Sequence, residues 1–278
     1  MKDPRSVLKA MGLRPSKRLG QNFLLDPALA SRVAEIIISE GKGRTVLEVG
    51  PGLGALTKPL LDAGAKVIGV ELDKRLHERL ATFKEAGDSR LVLLNRDILD
   101  LKPADLPPAE SLIVAGNLPY GISSPFLFWF LELFSGKSPG VFLFQKEFAS
   151  RVAASPGTKD YGRLTIAVSD RFETEISLET GPESFAPRPS VSSELVILRP
   201  KSAPPKADSK LLARVTGMAF RARRKTILNN LSGFCGRERA SEVLKSLGID
   251  ERSRPEEIAP ALYVEMALAF SEKKNGDR

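Results

Sequence analysis

Three groups of residues have the types and spacing to do chemistry: Glu48-Val-Gly-Pro-Gly-Leu-Gly54, the acid Glu71, and Asn117-Leu-Pro-Tyr120. In the last group the side-chain carbonyl of Asn117 is an acceptor for an exocyclic NH2 group. The backbone carbonyl of Leu118, in a turn stiffened by Pro119, offers a second acceptor. Tyr120 adds an aromatic face on which a base can stack. Two acceptors aimed at one amine turn its lone pair toward an electrophile. That suits transfer of a methyl from a sulfonium to an amino nitrogen conjugated with a ring. Such a site needs no histidine base, because positioning supplies most of the acceleration. Taken alone, the tetrapeptide also reads as a proline turn before a helix capped by Ser123 or Ser124.

The glycines of the first group allow a tight turn and a close approach of backbone to ligand. A dinucleotide fingerprint would place its third glycine at position 55, where Ala55 stands, so that fit is loose. With Glu48 and Pro51, the loop around Gly50 and Gly52 is instead similar to the glycine-rich loop of S-adenosylmethionine-dependent methyltransferases, which packs against the methionine part of the cofactor. A dinucleotide, or a turn with no ligand, stays open as an alternative. Glu71 stands twenty-one residues after Gly50 at the end of a strand. A carboxylate there accepts hydrogen bonds from both ribose hydroxyls; its bland reading is a solvated strand-end acid. Asp97, just after the next strand, is placed to accept from an amine such as adenine N6, or to cap a helix.

These residues need a scaffold, and the intervening segments supply one. Thr45–Val49, Lys66–Val70, Leu91–Leu94, Ser111–Ala115 and Val141–Phe144 are short apolar runs that read as strands, and helical patterns separate them. Leu164–Val168 and Glu194–Leu198 are expected as later strands. The alternation predicts an α/β fold with a parallel sheet covered on both faces. Ligands of such sheets bind beyond the carboxyl ends of the strands, where the three groups lie. A Pro-rich stretch, Arg199 to Ser209, reads as a linker. It divides the chain into residues 1–201 and a segment 202–278 without strand patterns, expected to be a small all-helical domain. Residues 201–278 hold 16 basic and 10 acidic residues, a net +6 of the chain's +8. With one cysteine and one histidine in 278 residues, there is no disulfide framework and there are too few soft ligands for a typical zinc site, so no metal is expected. The most apolar stretch, Pro125–Phe134, contains Glu132 and is about half the length a membrane span needs, and the N-terminus has no secretory signal, so a cytoplasmic protein is expected.

The chain resembles the ribosomal RNA adenine N6,N6-dimethyltransferase family, in its bacterial small-subunit branch. The resemblance is carried by Leu19-Gly-Gln-Asn-Phe-Leu-Leu-Asp26, Leu47–Gly54, Val70-Glu-Leu-Asp73, Gly116–Tyr120, Gln145-Lys-Glu147, Asp160–Leu164, Phe185-Ala-Pro-Arg-Pro189 and Phe220–Thr226, whose order and spacing together are highly specific. It implies a Rossmann-like class I methyltransferase sheet followed by a small helical domain. It also implies S-adenosylmethionine as cofactor, contacted by Asn22, Leu24, Gly50, Gly52, Glu71, Asp97 and Asn117. The target adenine would be held at Asn117, Leu118, Pro119 and Tyr120, with Phe185 as a second stacking ring. The implied substrate is a pair of adjacent adenines in a 3′-terminal hairpin of small-subunit rRNA, within an assembling 30S subunit. Gly121, Ser190 and Ser192 stand where family members often have Asn, Lys and Asp.

Arg221, Arg223, Arg224 and Lys225 form a basic cluster, expected on a helix, that suits phosphate contacts. Lys2, Arg5, Lys9, Arg14, Lys17 and Arg18 add an N-terminal basic arm. Nothing calls for an oligomer, so a monomer is expected. The competing readings are a large-subunit rRNA adenine methylase, a DNA adenine methyltransferase, a non-catalytic assembly factor with the same fold and, least well supported, a dehydrogenase.

Overall fold

The computed structural model describes residues 15–16, 19–85, 89–134, 136–203 and 205–272. By its internal contacts the chain divides into two units. One holds the described residues up to Ala149 with Glu175–Pro200; the other holds Ser150–Thr174 with the described residues from Lys201 onward. Ser150–Thr174 thus groups with the helical unit, not with the sheet to which a single cut at residue 201 assigns it. Its buried residues are the reason: Tyr161 and Ile166 belong to the helical unit's core, and the Tyr161 hydroxyl donates to the carbonyl of Ile258 at 2.7 Å.

Along the chain lie β1 (Phe23–Leu24), α1 (Pro27–Gly41), β2 (Thr45–Val49), α2 (Thr57–Asp62), β3 (Val67–Val70), α3 (Lys74–Glu85), β4 (Leu91–Leu94), β5 (Leu112–Asn117), α4 (Ser123–Phe134) and β6 (Gly140–Gln145). They are followed by α5 (Lys146–Val152), α6 (Arg163–Ser169), β7 (Phe172–Thr180), β8 (Phe185–Ala186) and β9 (Ser193–Pro200). The main sheet has the order β4-β3-β2-β5-β6-β9-β7. The pairs among β4, β3, β2, β5 and β6 are parallel, and β9 runs antiparallel to β6. Strand order reverses between β2 and β5, which makes their carboxyl ends the place for a ligand.

Alternation along the strands builds the two covering layers. Val46, Ile113, Ala115, Val141, Leu143, Leu195 and Ile197 face α1 and α2 through Val33, Ile37 and Leu60. On α4 the buried residues Phe126, Leu127, Phe130, Leu131 and Phe134 recur at helical spacing. Phe126 and Phe130 meet the edge of Phe142 at centroid distances of 5.1 and 5.3 Å. Asp26 caps α1 by accepting from the amides of Ala28 and Leu29, with Pro27 in the first turn. That cap fixes where the segment before it, including β1, enters the fold. β1 pairs with β8 as a separate two-stranded ladder, Leu24 opposite Phe185.

Leu164–Val168, expected as a strand, lies in the helix α6. Leu164, Thr165, Ile166 and Val168 are all buried in a helical unit, so the run is apolar nearly all round and no period is legible in it. β7 was not anticipated, because its acids Glu173, Glu175 and Glu179 mask the pattern of an edge strand. The second unit continues with α7 (Ser209–Ala219), α8 (Ile227–Cys235), α9 (Arg237–Ser246) and α10 (Pro260–Glu272), packed around Leu212, Val215, Leu231, Leu244 and Met266. Among the described residues no helix is long and apolar enough to cross a membrane.

One glycine sets how closely β2 and β5 converge at the reversal. A Cβ on Gly116 would stand 2.5 Å from the carbonyl oxygen of Val49, a backbone atom held in the sheet. Gly116→Ala is therefore expected to destabilise the first unit by roughly 1–3 kcal/mol. Urea denaturation checks this, and an unchanged midpoint would contradict the close approach.

Candidate functional site

A pocket opens at the carboxyl ends of β2, β3 and β5. Asn22, Leu24, Gly50, Gly52, Glu71, Asp97 and Asn117 all line it, so the seven residues expected to hold a cofactor converge on one cavity. Gly50 and Gly52 carry φ values of 63° and 60°, a region that favours glycine. A Cβ on Gly52 would come within 3.2 Å of the Phe23 ring, a tight approach to which the ring would have to give way. The residues from Leu19 to Leu24 reach over the cavity: Leu19, Gln21, Asn22, Phe23 and Leu24 belong to its lining, and Gln21 donates to Asp73 at 3.4 Å.

Two buried carboxylates flank the glycine loop. Glu71 is 5 % exposed, and its two oxygens accept from the amides of Gly52 (3.0 Å) and Asp73 (2.9 Å). Each carboxylate oxygen has a second lone pair, so both can also accept a ribose hydroxyl. Burial raises the Glu71 carboxyl above its ordinary range, and the two amides oppose that. Glu48 is 1 % exposed and accepts from the Thr57 hydroxyl at 2.7 Å. Burial pushes Glu48 up to about 7; the Thr57 bond opposes this and the charge of Glu71 adds to it. Asp97 fulfils its bland reading too, capping the turn Ile98–Asp100 through one oxygen while it lines the cavity.

Asn117 is held from the far side of the pocket. Its Nδ2 donates to the carbonyl of Asn22 at 2.8 Å. Because that partner is an acceptor, the amide must turn its nitrogen toward it, which leaves Oδ1 as the acceptor for a ligand. Pro119 lines the cavity, whereas Leu118, 2 % exposed, and Tyr120 do not. Tyr120 is half-buried, with its hydroxyl 3.3 Å from Ser193 Oγ.

Phe185 differs from expectation. It is 1 % exposed, packed in the core beside Leu24, and lines no part of the pocket. Both faces that a stacked base would need are covered, so the structure gives this ring a packing role. Sequence reasoning also missed Gln21, Phe23, Leu72, Arg96, Ile98 and Ile122, all lining residues. Leu72 had a legible signal: an apolar residue directly after the strand-end acid, 49 % exposed.

Arg221, Arg223, Arg224 and Lys225 are exposed, as a phosphate-binding cluster requires, but they lie on the turn before α8 and not on a helix. Buried Asn230 explains the turn. Its side chain accepts from the amide of Ala222 and donates to the carbonyls of Ala222 and Lys225. Arg223 donates to the carbonyl of Tyr161 at 2.8 Å. The six N-terminal cations lie outside the described residues. Among the described residues no cluster of three or more His, Cys, Asp or Glu could hold a metal ion.

A family model described as ribosomal RNA adenine dimethylase matches residues 12–272. Ribosomal RNA small subunit methyltransferase A of Thiobacillus denitrificans is 41 % identical over 251 residues, 90 % of this chain and 95 % of that protein. The protein of the same name from Leptothrix cholodnii is 37 % identical over 261 residues, 93 % of each. Among solved structures, a dimethyladenosine transferase from Plasmodium falciparum gives a TM-score of 0.75 at 26 % identity, covering 91 % of this chain and 98 % of that one. The 23S rRNA methyltransferase ErmE gives 0.66 at 27 % identity, covering 90 % and 99 %. The sheet is that of the class I methyltransferases.

Two expectations follow from the two carboxylates. The native Glu48 carboxyl holds its proton to about pH 7, whereas the unfolded one releases it near 4.5. Stability from this group is therefore greatest at acid pH and falls as pH rises from 4.5 through 7. Glu48→Gln should remove that decline, worth on the order of 3 kcal/mol, and flatten the melting temperature between pH 5 and 8. A wild-type profile that rises over this range would contradict it. Glu71→Ala should weaken S-adenosylmethionine binding by about tenfold or more, the scale of a lost hydrogen bond to a charged group. Equal affinity by calorimetry would remove the ribose role.

Proposed function

The chain belongs to the ribosomal RNA adenine dimethylase family, and from that premise we infer that it is an S-adenosylmethionine-dependent enzyme that dimethylates N6 of adenines in small-subunit rRNA. We further propose that the substrate is two adjacent adenines of the 3′-terminal hairpin within an assembling 30S subunit, and that a monomer acts on it. The observation that carries the reaction assignment is the fixed amide of Asn117, with its donor tied to Asn22 and its acceptor available.

The pocket fits the cofactor on its own chemistry. Glu71 keeps acceptor lone pairs for ribose hydroxyls, the glycine loop admits the cofactor's chain, and Leu72 and Ile98 offer apolar cover to its purine. When bound, S-adenosylmethionine supplies an electrophilic methyl on a sulfonium. Asn117 Oδ1 accepts from the adenine N6 amine, with the Leu118 carbonyl as second acceptor, and this draws the nitrogen lone pair out of conjugation. Tyr120 supplies the stacking face for the flipped-out base. Positioning of this kind removes entropy and solvent reorganisation from the barrier without a basic side chain. The cationic turn before α8 supports phosphate contacts that are salt-dependent and carry little sequence information.

A large-subunit substrate is the second reading, since ErmE is a 23S rRNA methyltransferase with the same fold. The names of the relatives at 37–41 % identity favour the small subunit. The test supplies labelled S-adenosylmethionine with small subunits, large subunits and duplex DNA from a strain lacking the modification, followed by nucleoside mass analysis. Dimethyladenosine in small-subunit RNA alone is expected. Label in large-subunit RNA or DNA would overturn the substrate, and no label with cofactor bound would leave an assembly role. Asn117→Ala should lower the methylation rate by about 10²-fold or more, as loss of an aligned group does, with little change in cofactor affinity.

A further inference from the structure

Ser193 opens β9, and its side chain continues the face of Leu195 and Ile197, which are buried in the core against α1 and α2. Packing alone favours an apolar residue at such a position. Ser193 is nevertheless a serine, 2 % exposed, and a buried hydroxyl without a partner costs free energy. Its Oγ lies 3.3 Å from the hydroxyl of Tyr120, 73 residues earlier in the chain.

The two partners differ in how firmly they are held. Ser193 pairs with Gln145 at the end of the antiparallel β6–β9 ladder, and the amide of Lys146 donates to the carbonyl of Ser192 at 3.0 Å just beyond it. Tyr120 stands in a single turn of 3-10 helix, Tyr120–Ile122, after Pro119. Its ring is fixed by the turn at one end, and Ser193 meets the hydroxyl at the other. Tyr120 does not line the cofactor cavity, although Asn117, Pro119, Gly121 and Ile122 around it do. The ring therefore stands beside the pocket, on the same turn that carries Asn117 and Pro119 into its lining.

We propose that Ser193 is a positioning residue for methyl transfer: through the Tyr120 hydroxyl it holds the stacking ring in the orientation that brings an adenine N6 to Asn117. This rests on Tyr120 being the stacking face, as assigned above. The hydroxyl, not only the ring, then matters to turnover. A ring that acted by stacking alone would work equally well as phenylalanine.

The test compares Ser193→Ala, Tyr120→Phe, the double variant and Ser193→Thr in single-turnover methylation of undermethylated small subunits, with S-adenosylmethionine affinity measured by calorimetry. Each single removal should slow methyl transfer between about twofold and tenfold, the range of a net neutral hydrogen bond. Cofactor affinity should stay unchanged, the double variant should be no slower than either single one, and Ser193→Thr should recover most of the rate. Should Ser193→Ala fold poorly, Tyr120→Phe alone decides, because it keeps the ring and loses only the hydroxyl. Wild-type rates in Tyr120→Phe or Ser193→Ala, or losses that multiply in the double variant, would overturn the inference. A wild type that methylates beside variants of equal rate rejects the role of Ser193; a wild type that methylates no RNA rejects the reaction itself.

Discussion

The hydrogen bond from Asn117 Nδ2 to the carbonyl of Asn22 joins residues 95 positions apart, and much of the site depends on it. It orients the only side-chain amide in the Asn-Leu-Pro-Tyr turn, because a carbonyl can bind only the nitrogen of that amide. For the bond to form, β5 must end beside β2, which requires Gly116 to pass close to the Val49 carbonyl. The segment around Asn22 must also arrive at the same place. It is delivered by the Asp26 cap of α1 on one side and by the β1–β8 ladder on the other. A single contact therefore reports that sheet, covering segment and turn are assembled together.

Electrostatics of the pocket complement this geometry. Glu48 and Glu71 are buried at a cost in isolation, which is why burial raises both carboxyls. A ligand carrying positive charge offsets that cost, whereas an anionic phosphate would add to it. The strand-end acid, the sheet and the glycine loop are features that dinucleotide sites share.

Much was legible because local rules and function agree. Thr45–Val49 and Leu91–Leu94 form strands with the bounds read from their apolar runs, and the seven residues expected to hold a cofactor meet in one cavity because strand ends in a parallel sheet share an edge. Readings failed where context overrides pattern. Leu164–Val168 is β-branched and apolar, yet an all-helical environment makes it helix. The basic cluster continues a helical pattern, yet Asn230 bonds the backbone of Ala222 and Lys225 and holds it as a turn.

By itself, the sequence determined the five parallel strands of the sheet, the order of its motifs and the family, because apolar period, glycine spacing and strand-end acids are local and survive without contacts. Tertiary structure alone decided the rest. It buried Phe185 in the core, brought Ser193 to the tip of Tyr120 and grouped Tyr161 and Ile166 with the helical core. Each of these is a contact between residues remote in the chain, and no local pattern encodes which distant surface a side chain will meet.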